Sequence, residues 1–213
     1  PGAEEAAGDA DAIFLGAIGL PAVRHKDGTE ISPHLRLRDR YQLYAGVRPI
    51  KAYPNIPQRL ADPRAADIDM VIIRECTEGL FYSAAVHNRS VVIGDSEVQD
   101  TMRITRATTE KLSDFAFRLA TKRKARGGKG IVTCVDKAHL FTSMDFFRKI
   151  FDDRSTASLH IAQRYNYVDA QSLEFVRPPW HLDVLVREQH LVDINAASAG
   201  RLTTRLDCAS SLV

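Results

Sequence analysis

Two short apolar runs, each followed by a charged residue, most constrain how this chain of 213 residues can fold. Residues 70–73 read Met-Val-Ile-Ile and precede Arg74, and residues 131–135 read Ile-Val-Thr-Cys-Val and precede Asp136. Runs of this kind are typical of strands that are buried on both faces. Residues 105–124 lie between them and repeat their apolar positions with a helical period. Strands that alternate with helices predict an α/β fold.

The same reading predicts elements along the rest of the chain. Pro49 places its strand at an edge or a start, because proline cannot donate to a central ladder. Residues 82–100 lack a helical period and carry short β-like pieces, so they predict a projecting hairpin. Further strands are predicted at residues 12–19, 47–53, 160–168 and 181–186, and further helices at residues 33–45, with Ser32 as the N-cap, 141–151 and 170–177.

Composition excludes several classes of protein. The net charge of +2 is too small to indicate nucleic-acid binding, and the basic run at residues 122–126 reads either as a solvated helix end or as a polyanion site. The three cysteines lack metal spacing and a disulfide framework, which favours a reducing compartment and a cytoplasmic protein. No apolar run approaches the length of a membrane span, and no signal peptide is visible, so no membrane partner is expected.

Polar residues follow three of the predicted strands. Arg74, Lys137 and Asp169 stand at strand ends, where ligands collect in α/β folds. An arginine fork suits a carboxylate, an aspartate suits Mg²⁺ or Mn²⁺, and a lysine can move a proton. Each residue alone also fits a surface ion pair, as Lys137 does beside Asp136. Glycine-rich nucleotide fingerprints, a serine nucleophile elbow and histidine zinc spacing are all missing from the sequence.

Eight segments together resemble the β-decarboxylating dehydrogenases, the family of isocitrate and isopropylmalate dehydrogenases. They occur in the family's order and at roughly its spacing, from residue 12 to about residue 195. The segments are residues 15–19 (LGAIG), 35–38 (LRLR), 47–51 (VRPIK), 73–81 (IRECTEGLF), 100–106 (DTMRITR), 135–138 (VDKA), 167–170 (YVDA) and 175–179 (FVRPP).

The resemblance implies an isopropylmalate-dehydrogenase-like α/β fold made of the second, dimerisation domain and part of the first. Residues 1–45 would belong to the first domain, residues 46–200 would form the second domain with the dimer interface, and residues 201–213 would be an irregular tail. Residues 82–100 would be the arm between subunits of a homodimer. The family's N-terminal strand–helix unit and its adenine-binding loop find no match, so the resemblance predicts a fragment.

The resemblance also implies roles for individual residues. Arg38, Arg48 and Arg74 match the arginines that bind substrate carboxylates. Lys137 matches the lysine that assists proton removal from the 2-hydroxyl, and the metal ligands match Asp169, acting across the dimer, and Asp193. The implied reaction is NAD- and Mg²⁺- or Mn²⁺-dependent oxidative decarboxylation of a 2-hydroxy dicarboxylic acid. The nearest members act on 3-isopropylmalate, tartrate or D-malate, and Leu35 with Leu37 favours an apolar substituent on the substrate.

The sequence departs from the family pattern at several of these positions. The tyrosine that donates a proton aligns with Phe81, which makes the neighbouring Tyr82 the candidate catalytic phenol. His139 replaces the asparagine after Lys-Ala and becomes the candidate contact to the nicotinamide cofactor. In the metal segment, Val192 replaces a glycine and Ala197 replaces the second aspartate. Two alternatives stay open: an inactive, truncated or degenerate member that only dimerises, and an accidental resemblance of an unrelated α/β domain.

Overall fold

The computed structural model describes residues 2–16, 20, 22–26, 28–56, 60–83, 87 and 89–188. Short 3₁₀ segments connect several of the regular elements there. The described helices are α1 (Gly2–Gly8), α2 (Pro33–Tyr41), α3 (Arg106–Lys124), α4 (Thr142–Ser155) and α5 (Val168–Val176). The described strands are β1 (Ala45–Lys51), β2 (Asp69–Glu75), β3 (Val91–Ile93), β4 (Glu97–Gln99), β5 (Ile131–Asp136), β6 (Ala162–Tyr167) and β7 (Val184–Arg187).

Five of these strands form one sheet in the order β1-β2-β7-β5-β6. The strands β2, β7, β5 and β6 run parallel, and β1 pairs antiparallel with β2 at the edge. The alternation of strands and helices therefore confirms the predicted α/β class. Pro49 lies in the edge strand β1, as its missing amide donor requires.

Apolar clusters cover both faces of the sheet, which explains why its central strands are apolar throughout. On one face, Ile72 and Leu185 pack with Phe175 of α5 and with residues of the 3₁₀ segment Pro63–Asp67. On the other face, Val71 and Ile73 and their neighbours pack against α3 and α4. The sheet is thus the middle of three layers.

Helix α3 matches its prediction closely. It begins after Thr105, whose side chain caps the helix and accepts a hydrogen bond from the amide of Thr108. The buried carboxylate of Glu78 holds that cap, because it accepts bonds from the Thr105 amide at 2.8 Å and from the Thr105 hydroxyl at 2.6 Å. Beyond the helix, Gly127 adopts a φ of +87°, a conformation that favours glycine and turns the chain away.

Two predicted elements in the first fifty residues differ from the structure, and the strand predicted at residues 181–186 begins only at Val184. The strand predicted at residues 12–19 is wrong for residues 12–16, which have no regular structure and expose Phe14 completely, whereas residues 17–19 lie outside the described residues. An apolar run becomes a buried strand only where a neighbouring strand pairs with it, and the sheet described above offers it none. The helix predicted to reach residue 45 ends at Tyr41, because Gln42 turns left-handed, and Ser32 makes no side-chain cap bond.

A buried aspartate locks the amino edge of the sheet. Asp183, just before β7, accepts bonds from Arg123 Nε at 2.6 Å and from the Gly130 amide at 2.7 Å. Arg123 also donates to the carbonyl and the carboxylate of Asp69, at 2.8 Å in each case. Helix α3 is thereby tied to the starts of β2, β5 and β7.

The predicted hairpin is confirmed within residues 82–100, where β3 and β4 pair antiparallel apart from the main sheet. Val91, Val92, Ile93 and Val98 are all exposed on it. A two-stranded ribbon is only marginally stable by itself. The four side chains give this ribbon an apolar surface that faces solvent. In the described part of the chain, no helix has the length and apolarity that crossing a membrane requires.

Candidate functional site at the carboxyl edge of the sheet

The carboxyl ends of the four parallel strands lie along one edge of the sheet. Arg74, near the end of β2, is the register partner of Arg187 at the end of β7. Lys137 follows the end of β5, and Asp169 lies in the first turn of α5, immediately after β6. Three of the residues selected from the sequence, Arg74, Lys137 and Asp169, therefore share the edge at which α/β folds bind ligands.

Strand register places the arginines on one face of the sheet. Arg48 of β1 is opposite Ile72 of β2, and Ile72 and Arg74, two residues apart, point to the same face. Arg74 is opposite Arg187, and Arg187 is opposite Val135 of β5. This is the face that α5 covers, so three arginines and the α5 helix that carries Asp169 lie on the same side.

Lys137 and Asp169 form an ion pair, with Lys137 Nζ 3.0 Å from Asp169 Oδ1. The lysine side chain is 24% exposed and the aspartate side chain 69% exposed, so the pair opens to solvent. The hydrogen bond from Lys137 lowers the pKa of Asp169 and keeps this carboxyl ionised. The pair thus combines a protonated amine with a solvent-exposed, ionised carboxylate.

His139 lies in the turn that follows Lys137. Its ring centroid is 4.1 Å from that of Tyr167, the last residue of β6, with the two planes tilted by 53°. The Leu140 amide closes the turn by donating to the Lys137 carbonyl at 2.9 Å. His139 is therefore held close to Lys137 and Asp169, on the exposed side of the edge.

Phe81 and Tyr82 have different neighbours. The Arg74 guanidinium carbon lies 5.7 Å from the centre of the Phe81 ring. The Tyr82 ring instead lies between Arg89 and Arg103, at 4.4 Å and 4.5 Å from their guanidinium carbons. The phenylalanine is thus the aromatic residue beside the buried arginine, and the tyrosine stacks between two cations on the hairpin side.

A small pocket adjoins Arg74 between α2 and the segment after β2. Burial raises the pKa of Cys76, and the nearby charges of Arg38 and Arg74 act against that rise. The charges of Arg38 on α2 and Arg74 on β2 therefore both act on the Cys76 thiol. The pocket is lined by Leu35, Asp39, Cys76, Thr77, Phe81 and His87.

The donors for a metal ion are incomplete in the described part of the chain. Asp193 and Ala197 lie outside the described residues, and within those residues no three His, Cys, Asp or Glu side chains group as a metal site. Asp169 nevertheless fits Mg²⁺ or Mn²⁺ as one ligand, because Mg²⁺ keeps several waters and needs only one or two protein carboxylates. Its exposed, ionised carboxyl is the chemistry that such a site requires.

Sequence reasoning missed two residues of this edge. Arg187, which is 1% exposed, was not selected as a site residue, although it follows an apolar run at the end of a predicted strand. Arg148 of α4 carried no signal, because its partner Asp136 lies twelve residues earlier and belongs to a strand. Only the packing of α4 on the sheet brings that pair together.

These features define a three-layer α/β protein whose sheet edge gathers groups suited to an anionic ligand. A family model described as isocitrate/isopropylmalate dehydrogenase matches residues 2–211, and the chain belongs to that family. It is 32% identical to a 3-isopropylmalate dehydrogenase of Heyndrickxia coagulans, over 92% of this chain and 53% of that protein. It is also 32% identical to a 3-isopropylmalate dehydrogenase of Listeria monocytogenes, over 93% of this chain and 54% of that protein.

The fold agrees with that assignment. The crystal structure of an isocitrate dehydrogenase from Methylococcus capsulatus superposes with a TM-score of 0.74 at 27% identity, covering 90% of this chain and 54% of that one. The chain spans about half the length of the relatives it matches. The resemblance read from the sequence motifs is thereby confirmed at the level of the family.

Proposed function

We propose that this chain takes part in the NAD- and Mg²⁺- or Mn²⁺-dependent oxidative decarboxylation of a 2-hydroxy dicarboxylic acid similar to 3-isopropylmalate. The reaction passes a hydride from C2 to NAD, releases the carboxylate on C3 as CO₂ and returns a proton to C3. The observation that supports it best is the Lys137–Asp169 pair at 3.0 Å, on the sheet edge that also carries Arg74. Such an edge supplies a base, a metal ligand and a carboxylate receptor, and in a dimer that uses Asp169 across the interface the Lys137–Asp169 pair would serve the arginines of the partner subunit.

Binding of the substrate carboxylates is assigned to Arg38, Arg48 and Arg74. Arg48 and Arg74 lie on one face of neighbouring strands, and Arg38 and Arg74 both act on Cys76. Guanidinium groups from three elements can surround a dianion and hold it by charge-assisted hydrogen bonds. Leu35, in the adjoining pocket, supports an apolar substituent on C3.

Lys137 is assigned the removal of the proton from the 2-hydroxyl. Its ammonium donates to the Asp169 carboxylate here, so Lys137 carries its own proton. It can accept the hydroxyl proton only as the neutral amine, after its own proton has passed to solvent and the substrate has displaced the bond to Asp169. Asp169 would then be free to join Asp193 in holding the divalent ion. That ion, when bound, would draw electron density from the C2 oxygen and favour loss of CO₂.

The remaining assignments concern the cofactor and the final proton. His139 is assigned a contact to the nicotinamide side of NAD, because it lies exposed in the turn that carries Lys137. Tyr82 is assigned the return of the proton to C3, since Phe81 beside Arg74 has no acidic hydrogen. Its position between Arg89 and Arg103 requires a partner or a rearrangement to bring it to the substrate.

We propose a homodimer as the working form. Asp169, Leu173 and Val176 recur at helical spacing on α5, and the two apolar residues are about half exposed. The hairpin of β3 and β4 presents a second exposed apolar surface. Because Asp169 bonds Lys137, a dimer that uses Asp169 across the interface would carry Lys137 with it. A cytoplasmic location is proposed from the free thiols of Cys76 and Cys134.

Turnover tests the proposed reaction. Reduced nicotinamide is followed by absorbance with 3-isopropylmalate, D-malate, tartrate and isocitrate, each with NAD and Mn²⁺. Arg48→Met should lower kcat/KM about tenfold to a hundredfold, because one charge-assisted hydrogen bond to a substrate carboxylate is lost. Arg64→Met is the matched control, because Arg64 pairs with Asp62 on the surface. If all four acids give neither turnover nor binding that depends on Arg48, the non-catalytic, dimerising alternative replaces this proposal.

Sedimentation tests the dimer. Val176→Glu should weaken self-association about tenfold or more, because a charge would enter the proposed apolar interface. Leu159→Glu is the control, since Leu159 is 87% exposed and lies away from α5 and the hairpin in sequence. Equal dimer dissociation constants for both variants and the parent would exclude α5 from the interface.

A further inference from the structure

Asp136, the last residue of β5, organises the turn that carries Lys137. Its side chain is fully buried, and both carboxylate oxygens bond Arg148 of α4: Nε at 2.8 Å and a terminal nitrogen at 2.6 Å. The oxygen Oδ1 also accepts the Ala138 amide at 2.8 Å. An aspartate that bonds the amide two residues ahead fixes a tight turn, and here Lys137 is the residue enclosed by it.

The backbone on the other side of Lys137 is fixed as well. Its carbonyl accepts the amides of Leu140 at 2.9 Å and Phe141 at 3.1 Å, immediately before α4 begins. The turn is therefore attached at one end to the strand through Asp136 and at the other to the helix that supplies Arg148. Any displacement of α4 relative to β5 moves Lys137.

The Arg148 guanidinium reaches the cofactor side of the edge too. It lies 5.3 Å from the Tyr165 ring centre and 5.6 Å from the Tyr167 ring centre. Tyr167 in turn packs against His139. A single side chain, 25% exposed, thus contacts the groups that determine the positions of both Lys137 and His139.

We propose that Arg148 is a positioning residue for the reaction: through Asp136 and Tyr167 it holds Lys137 in reach of Asp169 and holds His139 beside them. This inference rests on the proposed function for its catalytic meaning, but its physical content is the placement of Lys137. Among the described residues, no hydrogen bond joins Arg148 to Lys137 or Asp169, so Arg148 acts through its neighbours.

The test replaces Arg148 by methionine, which keeps the length of the side chain and removes the fork, and by lysine, which keeps the charge. The matched controls are Arg154→Met and Arg154→Lys. Arg154 lies on the same helix and forms a comparable two-bond pair with Asp114, at 2.7 Å and 3.0 Å. Because the Asp136 carboxylate is buried and the Asp114 carboxylate is 31% exposed, Arg148→Met should cost more stability than Arg154→Met, so both sets are compared in the folded fraction.

The first measurement is acetylation of Lys137 at one fixed pH, in the complete chain, quantified by peptide mass spectrometry. Lys149 is the internal reference, because it forms an ordinary i,i+4 pair with Asp145. Arg148→Met should raise the labelling of Lys137 relative to Lys149 about two- to fivefold, because the exposed ion pair between Lys137 and Asp169 is lost. Arg148→Lys should give a smaller rise, and the Arg154 variants no change.

The second measurement is the split between kcat and KM where the chain turns over. Arg148→Met should lower kcat about tenfold or more through misplacement of the base, with the KM for the 2-hydroxy acid within about twofold. Labelling that matches the Arg154 controls overturns the inference, whatever the turnover. If Lys137 labelling rises in Arg148→Met but the chain turns over no acid, the positioning role of Arg148 is supported and the proposed reaction is excluded. If Arg148→Met fails to fold, the comparison of Arg148→Lys with Arg154→Lys decides.

Discussion

The amino and carboxyl edges of the sheet each contain a buried aspartate that binds an arginine, but the two pairs have different roles. At the amino edge, the buried carboxylate of Asp183 binds Arg123 and two backbone amides. At the carboxyl edge, the buried carboxylate of Asp136 binds Arg148 and one backbone amide. Each aspartate ties a helix to a strand end.

The difference lies in what each aspartate supports. Beside Asp183, Arg123 continues to Asp69, so the charges there bind one another. Beside Asp136 stand Lys137, which pairs with the exposed carboxylate of Asp169, and His139, which is exposed and packs against Tyr167. A buried ion pair thus fixes the fold at one edge and orients a candidate site at the other. Stability and site chemistry can therefore be perturbed separately at the two edges.

The largest effect is expected at the amino edge. Asp183→Ala leaves Arg123 and the Gly130 and Ile131 amides without their acceptor and should lower the free energy of unfolding by about 3–5 kcal/mol. Urea denaturation followed by circular dichroism measures it. The relative acetylation of Lys137 in the folded fraction should stay unchanged. A stability loss below about 1 kcal/mol would remove the structural role assigned to this edge.

The next largest effect is expected at the carboxyl edge, where kcat should fall strongly and the free energy of unfolding should hardly change. Lys137→Met should lower kcat about a hundredfold or more, equivalent to about 2.7 kcal/mol, because the proposed base is gone. The unfolding free energy should change by less than about 1 kcal/mol, since the Lys137–Asp169 pair is open to solvent. Steady-state assays and urea denaturation on the same preparation check both halves. A stability loss as large as that of Asp183→Ala would make the pair a structural element.

The smallest effects are expected from the two ends of β2, with opposite signs. Burial raises the pKa of Asp69, but Arg123 and Lys51 outweigh it and lower this pKa below 3.8. Burial raises the pKa of Glu75 above 4.5. Asp69 therefore contributes stability above its unfolded pKa that is lost as the pH falls through its folded pKa. Glu75 contributes stability at low pH that is lost as the pH rises from 4.5 toward its folded pKa.

Urea denaturation across pH 3 to 7 measures both slopes. Asp69→Asn should flatten the fall in stability below pH 3.8. Glu75→Gln should flatten the fall above pH 4.5. Identical pH profiles for either variant and the parent would assign that carboxyl no difference in proton binding between the folded and unfolded states.

Sequence patterns were accurate where local and global preferences agree. The buried strands β2 and β5 and the helix α3 follow directly from apolar runs and a helical repeat. The strand predicted at residues 12–19 was wrong for residues 12–16, because an apolar run specifies burial only together with a partner strand. The hairpin was found from the absence of a helical period, although its exposed valines could not indicate what covers them.

Some residues of the candidate site could likewise be predicted from the sequence, whereas others could not. Residue types at strand ends selected Arg74, Lys137 and Asp169, because parallel strands bring their ends to one edge wherever they lie in the chain. Arg48 joined them through the family motif, and strand register then placed it on their face. Arg148 had no signal, since its bond to Asp136 depends on how a helix packs on a sheet.

By itself, the sequence determined the α/β class, the family and the chemical types gathered at strand ends, because periodicity and motif order are properties of the chain alone. The tertiary structure alone decided that Phe81 rather than Tyr82 lies beside Arg74, and that Arg148 supports the turn of Lys137. Those facts depend on distances between elements far apart in sequence. Such distances are set by packing of the two apolar clusters, which no local pattern encodes.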